Sequence, residues 1–230
     1  MKILALETSG EAGSVALQYC GEVQSVPLES GPAQSASAIE RIDSLLAAAG
    51  CRLEDLDGIA FSVGPGAFTG LRLGCGIAQG LAMGAGIGVM PIGTLDALAA
   101  QIQEGEVIAA MDARMGELYW ARFRCSKGIP FPLGEPECVS PSNWQPVLGS
   151  VCSGIGSAFK AHRDALNPGI FTGLVSIFDD RTPRANEIAR LAADQRYAAA
   201  AIDPALAAPL YVRDKVARTT VERLAQGGKA

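Results

Sequence analysis

Between Arg72 and Asp96 the chain runs 23 residues without a charge, long enough to cross a bilayer as a helix. Seven glycines (Gly74, Gly76, Gly80, Gly84, Gly86, Gly88 and Gly93) and Pro91 interrupt it. Each interior glycine costs a helix about 0.8–1 kcal/mol relative to alanine. The stretch therefore reads as a buried helix followed by a buried strand, not as a membrane span. That reading needs a core to hide in. With 230 residues, 49% of them hydrophobic, the chain can build one large domain or two small ones, and disorder is excluded as its dominant state.

Around this stretch, short apolar runs at 2–6, 13–17 and 22–28, punctuated by glycine, predict a meander of antiparallel strands. Ala36, Ile39, Ile42, Leu45, Leu46 and Ala49 recur at intervals of three and four before Gly50, which predicts an amphipathic helix over 33–49. A strand over 58–63, a Gly-rich turn, a helix over 68–85, a strand over 88–92 and a helix with Thr94 as N-cap give the order βββαβαβα. After the polar break at 103–106, strands at 107–111 and 118–123 begin a second α/β unit. Residues 127–146 read as loops with at most short strands, 150–153 as a strand, 184–200 as a helix with Ile188 and Leu191 inward, and the terminal GGKA as frayed. No internal sequence repeat is visible.

Three motifs carry possible chemistry. The loop Gly64, Pro65, Gly66, Ala67, Phe68, Thr69, Gly70 joins a strand to a helix, where backbone amides and the helix dipole suit an anion. No Lys-Ser or Lys-Thr follows, and the spacing misses the dinucleotide fingerprint by one residue, so spacing alone favours a tight turn. In the next helix Gly76, Gly80 and Gly84, with Ala78 and Ala82 beside them, make a groove of small residues. Either the 33–49 helix or another subunit could fill it. In DARMGELYW, Asp112, Arg114 and Glu117 could perform acid–base work, but a hairpin turn with an arginine between two acids favours a salt-bridge hub. His162 is the only histidine and, beside Lys160 and Arg163, reads as a surface residue.

Nineteen Lys and Arg against 24 Asp and Glu leave a formal charge of −5, a poor balance for gripping RNA without a partner's cations. The six cysteines form no C-x-x-C pair, and the opening MKILALETSG lacks a secretory pattern, so the expected location is the cytoplasm with reduced thiols.

The blocks ALETSGEAGSVAL, GPGAFTGLRLGCGIAQGLAMG and AAMDARMGELYWARF, in that order, with PLYVRDKVA near the C-terminus, resemble the TsaB (YeaZ) family. The resemblance implies an α/β chain of the actin-like ATPase (ASKHA) superfold, with two RNase H-like lobes placed at 1–104 and 105–230. It implies a noncatalytic scaffold required by a TsaD-like transferase, which moves a threonylcarbamoyl group to the adenosine beside the tRNA anticodon. A TsaE-like ATPase would join the assembly, tRNA would be reached only through the complex, and the free chain would form a homodimer. The partner surface is expected on the first two helices, at Ile39, Ile42, Leu46, Arg72, Gly76, Gly80 and Gly84. No catalytic residue, metal or intrinsic cofactor is expected, and any nucleotide would sit at a subunit junction. The segment matching the metal-binding H-x-x-x-H of the catalytic paralogue reads AQSASAIERI, without histidine, and Glu7 stands where many relatives carry Asp. The rival readings are a metal-dependent peptidase and an actin-like kinase or ATPase using Glu7 and residues 64–70.

Overall fold

A computed structural model describes residues 1–149 and 151–213. The first three runs pair as expected: β1 (Ile3–Glu7), β2 (Ser14–Tyr19) and β3 (Glu22–Pro27) form an antiparallel meander. Helix α1 (Gln34–Ala48) leads to β4 (Gly58–Gly64), α2 (Phe68–Ala85) and β5 (Val89–Gly93). Strands β1, β4 and β5 are parallel, and the sheet order is β3-β2-β1-β4-β5. Helix α3 (Thr94–Ala99) follows. Its N-cap is Gly93 rather than Thr94, whose hydroxyl is buried without a partner.

The second sheet repeats the first. A meander of β6 (Glu104–Arg114), β7 (Glu117–Ser126) and β8 (Ile129–Pro132) is joined by parallel strands, with β9 (Glu137–Val139) pairing on β7. Those parallel strands are β10 (Cys152–Ile155) and β11 (Ser176–Phe178), separated by the short helices α4 (Ala158–Ala161) and α5 (Pro168–Gly173). Its order, β8-β7-β6-β10-β11, is that of the first sheet. The duplication lies in topology, which tolerates complete divergence of side chains.

Side-chain alternation along each strand sets the layers. Leu4 and Leu6 join Val15, Leu17, Ile59 and Phe61 beneath α1 and α2, whereas Ile3 and Ala5 join Ala60, Met90 and Ile92 on the opposite face. That second face is covered by α6 (Ala185–Ala192), through Ala185, Ile188, Ala189 and Leu191. Conversely, Leu95, Leu98 and Ala99 of α3 pack on Val107, Ala109 and Phe123 of the second sheet. Each half thus lends a helix to the other half's sheet. Helices α3 and α6 each pack on the sheet formed from the other side of residue 104, a pairing that position along the chain does not reveal. The expected 184–200 helix is also two helices. Asp194 interrupts it and caps α7 (Gln195–Ala198) by accepting from the Arg196 amide. The terminal GGKA lies outside the described residues.

Candidate functional site

Strands β1 and β6 hold the same place in their sheets, and near their ends Glu7 and Asp112 border one cleft of about 400 Å³. Glu7 is 1% exposed. Its Oε1 accepts the Ser9 amide at 2.6 Å and the Ser9 hydroxyl, while Oε2 is buried and makes no geometrically sound hydrogen bond among the described residues. Burial raises the Glu7 pKa against the opposing pull of the Ser9 bonds and the Ser62 hydroxyl. On the other wall, Asp112 Oδ1 accepts the Arg114 amide at 2.9 Å and lies 3.1 Å from His162 Nε2, and the Asp112 amide donates to Ser157 Oγ. His162 Nε2 is also 3.1 Å from the Glu117 carbonyl. His162 is therefore half-buried beneath the hairpin, not the surface residue expected, because α4 carries it under the β6–β7 turn.

The hairpin motif is held by ion pairs that reach beyond it. Arg114 and Met115 have φ of 61° and 57°, tightening the turn, and the Arg114 guanidinium reaches across the cleft to Glu11. Glu117 faces Arg213 at 2.7 Å.

The 64–70 loop is packed rather than open. β-Carbons on Gly66, Gly70 and Gly74 would lie 2.7, 1.9 and 2.4 Å from atoms of Ser9 or Thr8. The Ala67 amide donates to the Ser9 carbonyl, and the Thr8 hydroxyl to the Gly70 carbonyl, both at 2.7 Å. These glycines permit two backbones to meet. Gly64, at φ 132°, meets the Leu210 carbonyl the same way, and the Leu210 amide donates to the Val63 carbonyl. From there residues 210–213 run as a strap. Tyr211 lies 5.6 Å from Phe68 and accepts from Arg72 Nε at 3.0 Å, and Arg213 donates to the Ala113 carbonyl at 2.8 Å. Pro65 and Phe68 line the pocket beneath this strap, and Thr69 is exposed. The strap escaped residue-by-residue sequence reading because its contacts join positions about a hundred residues apart.

On the outer face of α2, Gly76, Gly80 and Gly84 are exposed, and nothing described lies within 4 Å of a β-carbon added at any of them. Helix α1 does not fill this groove. Ala78 and Ala82 are buried on the opposite face, facing the core. Met83 is 63% exposed and Ile39 50%, Arg72 is exposed, and Leu46 is half-buried against the core. Ile42 does not belong with them: it is 3% exposed and packs in the core, because only one side of α1 faces solvent. Among the described residues no three His, Cys, Asp or Glu side chains are grouped to hold a metal ion, and no helix is long and apolar enough to cross a membrane.

Two sheets of one strand order, exchanged helices and a cleft between equivalent strand ends define an α/β protein of the actin-like ATPase class, with two RNase H-like lobes. The family model described as TsaD, tRNA N6-adenosine threonylcarbamoyltransferase, matches residues 25–221, and the chain belongs to this family, in its TsaB (YeaZ) branch. The tRNA threonylcarbamoyladenosine biosynthesis protein TsaB of Haemophilus influenzae is 44% identical over 126 residues, covering 53% of each chain. The protein of the same name from Escherichia coli is 43% identical over 129 residues, covering 54% of this chain and 55% of its own. These matches span about half the length of the curated relatives. The structure of YeaZ from Pseudomonas aeruginosa superposes with a TM-score of 0.83 at 29% identity, covering 91% of this chain and 99% of that one. A structure described as an uncharacterized protein with similarity to peptidase YEAZ from Pseudomonas aeruginosa gives 0.81 at 29% identity, covering 92% and 99%.

Proposed function

We propose that the chain is a noncatalytic scaffold for a TsaD-like transferase that makes tRNA threonylcarbamoyladenosine beside the anticodon, and that the outer face of α2 is its docking surface. The observation that carries this reading is the row Gly76, Gly80 and Gly84, uncovered among the described residues, with exposed Met83 on the same face of the helix. Small residues let a partner helix approach closely, and exposed apolar side chains beside them gain from being covered. The names of the TsaB relatives support the assignment to this pathway.

In this reading the free chain pairs with itself through the same face, and a TsaD-like chain displaces the copy. A TsaE-like ATPase joins the assembly, and tRNA is held by the partners, consistent with a net charge of −5. Any nucleotide belongs at the junction with a partner, and the complex works in the cytoplasm. A role without turnover fits the hairpin charges, which are engaged in ion pairs, Arg114 with Asp112 and Glu117 with Arg213, and His162, whose Nε2 faces Asp112 and the Glu117 carbonyl.

Co-expression with a TsaD-like chain tests the proposal. Co-purification, together with tRNA modification that needs both chains, is the expected result. Hydrolysis of ATP or of a peptide by the isolated chain, lost in a Glu7→Ala variant, would overturn the noncatalytic reading. Failure to bind any TsaD-like chain would overturn the scaffold.

A further inference from the structure

Two bends meet at the floor of the cleft: residues 8–13 between β1 and β2, and residues 64–70 at the start of α2. Bends rich in backbone amides, set beside the N-terminus of a long helix, are where proteins hold phosphates and carboxylates. Here key donors are already engaged. The Ser9 amide and hydroxyl both go to Glu7 Oε1, and the Ala67 amide goes to the Ser9 carbonyl. The second Glu7 oxygen, Oε2, is buried and makes no geometrically sound hydrogen bond among the described residues, with the Ser62 hydroxyl nearby, and Glu7 belongs to the wall of the cleft.

The remaining charges do not help an anion. Glu11 and Asp112 add two carboxylates to the walls, and the Arg114 guanidinium that offsets them is paired with both. Arg181 lies beside Asp180. The phosphate chain that an actin-like ATPase fold implies does not fit this arrangement, because a carboxylate of the protein already holds donors that the phosphate would need.

We propose that Glu7 is a built-in occupant of the cleft's anion position, closing it to phosphate groups, and that removing its side chain opens it. Glu7 Oε1 caps the Ser9 amide two residues on, as Asp112 Oδ1 caps the Arg114 amide on the opposite wall, so both bends already carry a carboxylate of the protein. The inference does not rest on the partner assignment, and it is read out on the isolated chain.

The experiment uses the full-length chain labelled with nitrogen-15, titrated with inorganic phosphate and, separately, with ATP and magnesium. The Ser9 amide resonance and calorimetry are the readouts. The native chain should show no saturable movement of the Ser9 amide through the millimolar range. Glu7→Ala should bind inorganic phosphate at least about ten-fold more tightly, with the Ser9 amide moving saturably. Glu7→Val, which suits a strand end and offers the Ser9 amide no acceptor, carries the same expectation should Glu7→Ala fail to fold. Saturable movement of the native Ser9 amide as strong as in the variants would overturn the proposal, as would a folded variant that leaves this amide unmoved.

Discussion

Thr8 and Gly70 pack backbone against backbone. A β-carbon on Gly70 would stand 1.9 Å from the Thr8 carbonyl oxygen, and the Thr8 hydroxyl donates to the Gly70 carbonyl at 2.7 Å. Gly74 continues this inward row one turn later, against the Thr8 hydroxyl. Gly76, Gly80 and Gly84 form a second row on the same helix. Two residues advance a helix by about 200°, so the row that starts at Gly76 faces away from the one that ends at Gly74. One row serves the fold, and the other is exposed, with nothing described packed on it.

Substitutions in the two rows should therefore diverge. Gly80→Ala should raise stability by up to about 1 kcal/mol, since the helix gains propensity and the new methyl meets nothing. Gly80→Leu should fold with an undiminished melting temperature yet fail to pull down a TsaD-like partner. Gly70→Ala should lower stability by about 1–3 kcal/mol or more, because the Thr8 backbone would have to move. Thermal unfolding and pull-down on the same samples separate the cases, and loss of stability in Gly80→Leu would place that face in the core.

The contrast marks what the sequence could tell. Spacing alone located α2 and the row Gly76, Gly80 and Gly84, but the inward row Gly70 and Gly74 is set by Thr8, more than sixty positions away. The periodicity of 33–49 likewise identified α1 while grouping Ile39 with Ile42, although the first is half exposed and the second is in the core. Local patterns fix elements and their amphipathic phase. Pairings such as α6 on the first sheet, His162 beneath Asp112 and Tyr211 against Arg72 are tertiary, and no local period encodes them.

Thiol reactivity should follow burial. Cys20 is exposed at the β2–β3 turn, whereas Cys125 is 1% exposed and its pKa is pushed up to about 12, mainly by burial. Iodoacetamide near pH 7.5 should label Cys20 rapidly in the native chain and spare Cys125 until denaturant is added. Peptide mapping by mass spectrometry reads both positions, and early modification of Cys125 would contradict the packing of β7.

The strap should hold the hairpin to the rest of the chain. Arg213 donates to the Ala113 carbonyl, faces Glu117 at 2.7 Å and lies over the Tyr119 ring. Arg213→Ala should cost about 1–3 kcal/mol, the range for losing charge-assisted hydrogen bonds in a partly buried setting. Tyr211→Phe removes only the hydroxyl that accepts from Arg72 at an exposed site and should cost about 0.5–1 kcal/mol or less. Urea unfolding gives both values, and amide exchange should rise in residues 112–117 for Arg213→Ala alone.

Asp96 gives a pH dependence of unusual sign. It sits where α3 meets α7 and accepts from the Tyr197 hydroxyl at 2.9 Å; burial raises its pKa, while the Tyr197 bond and Arg196 pull it down. A carboxyl with a raised folded-state pKa binds its proton more tightly in the folded than in the unfolded chain. Its contribution is therefore fullest below the ordinary aspartate pKa of about 3.9 and is lost as pH rises through the raised value. Asp96→Asn keeps an acceptor for Tyr197 without the charge. It should be more stable than the native chain at pH 7, with the advantage shrinking as pH falls toward about 4. Tyr197→Phe should act in the opposite direction at neutral pH, because it removes a bond that favours the charged carboxylate. Glu7 and Glu187 also have raised pKa values, so the quantity to measure is the difference between variant and native chain in urea unfolding at each pH. A constant difference across that range would show that Asp96 titrates alike in the folded and unfolded chain.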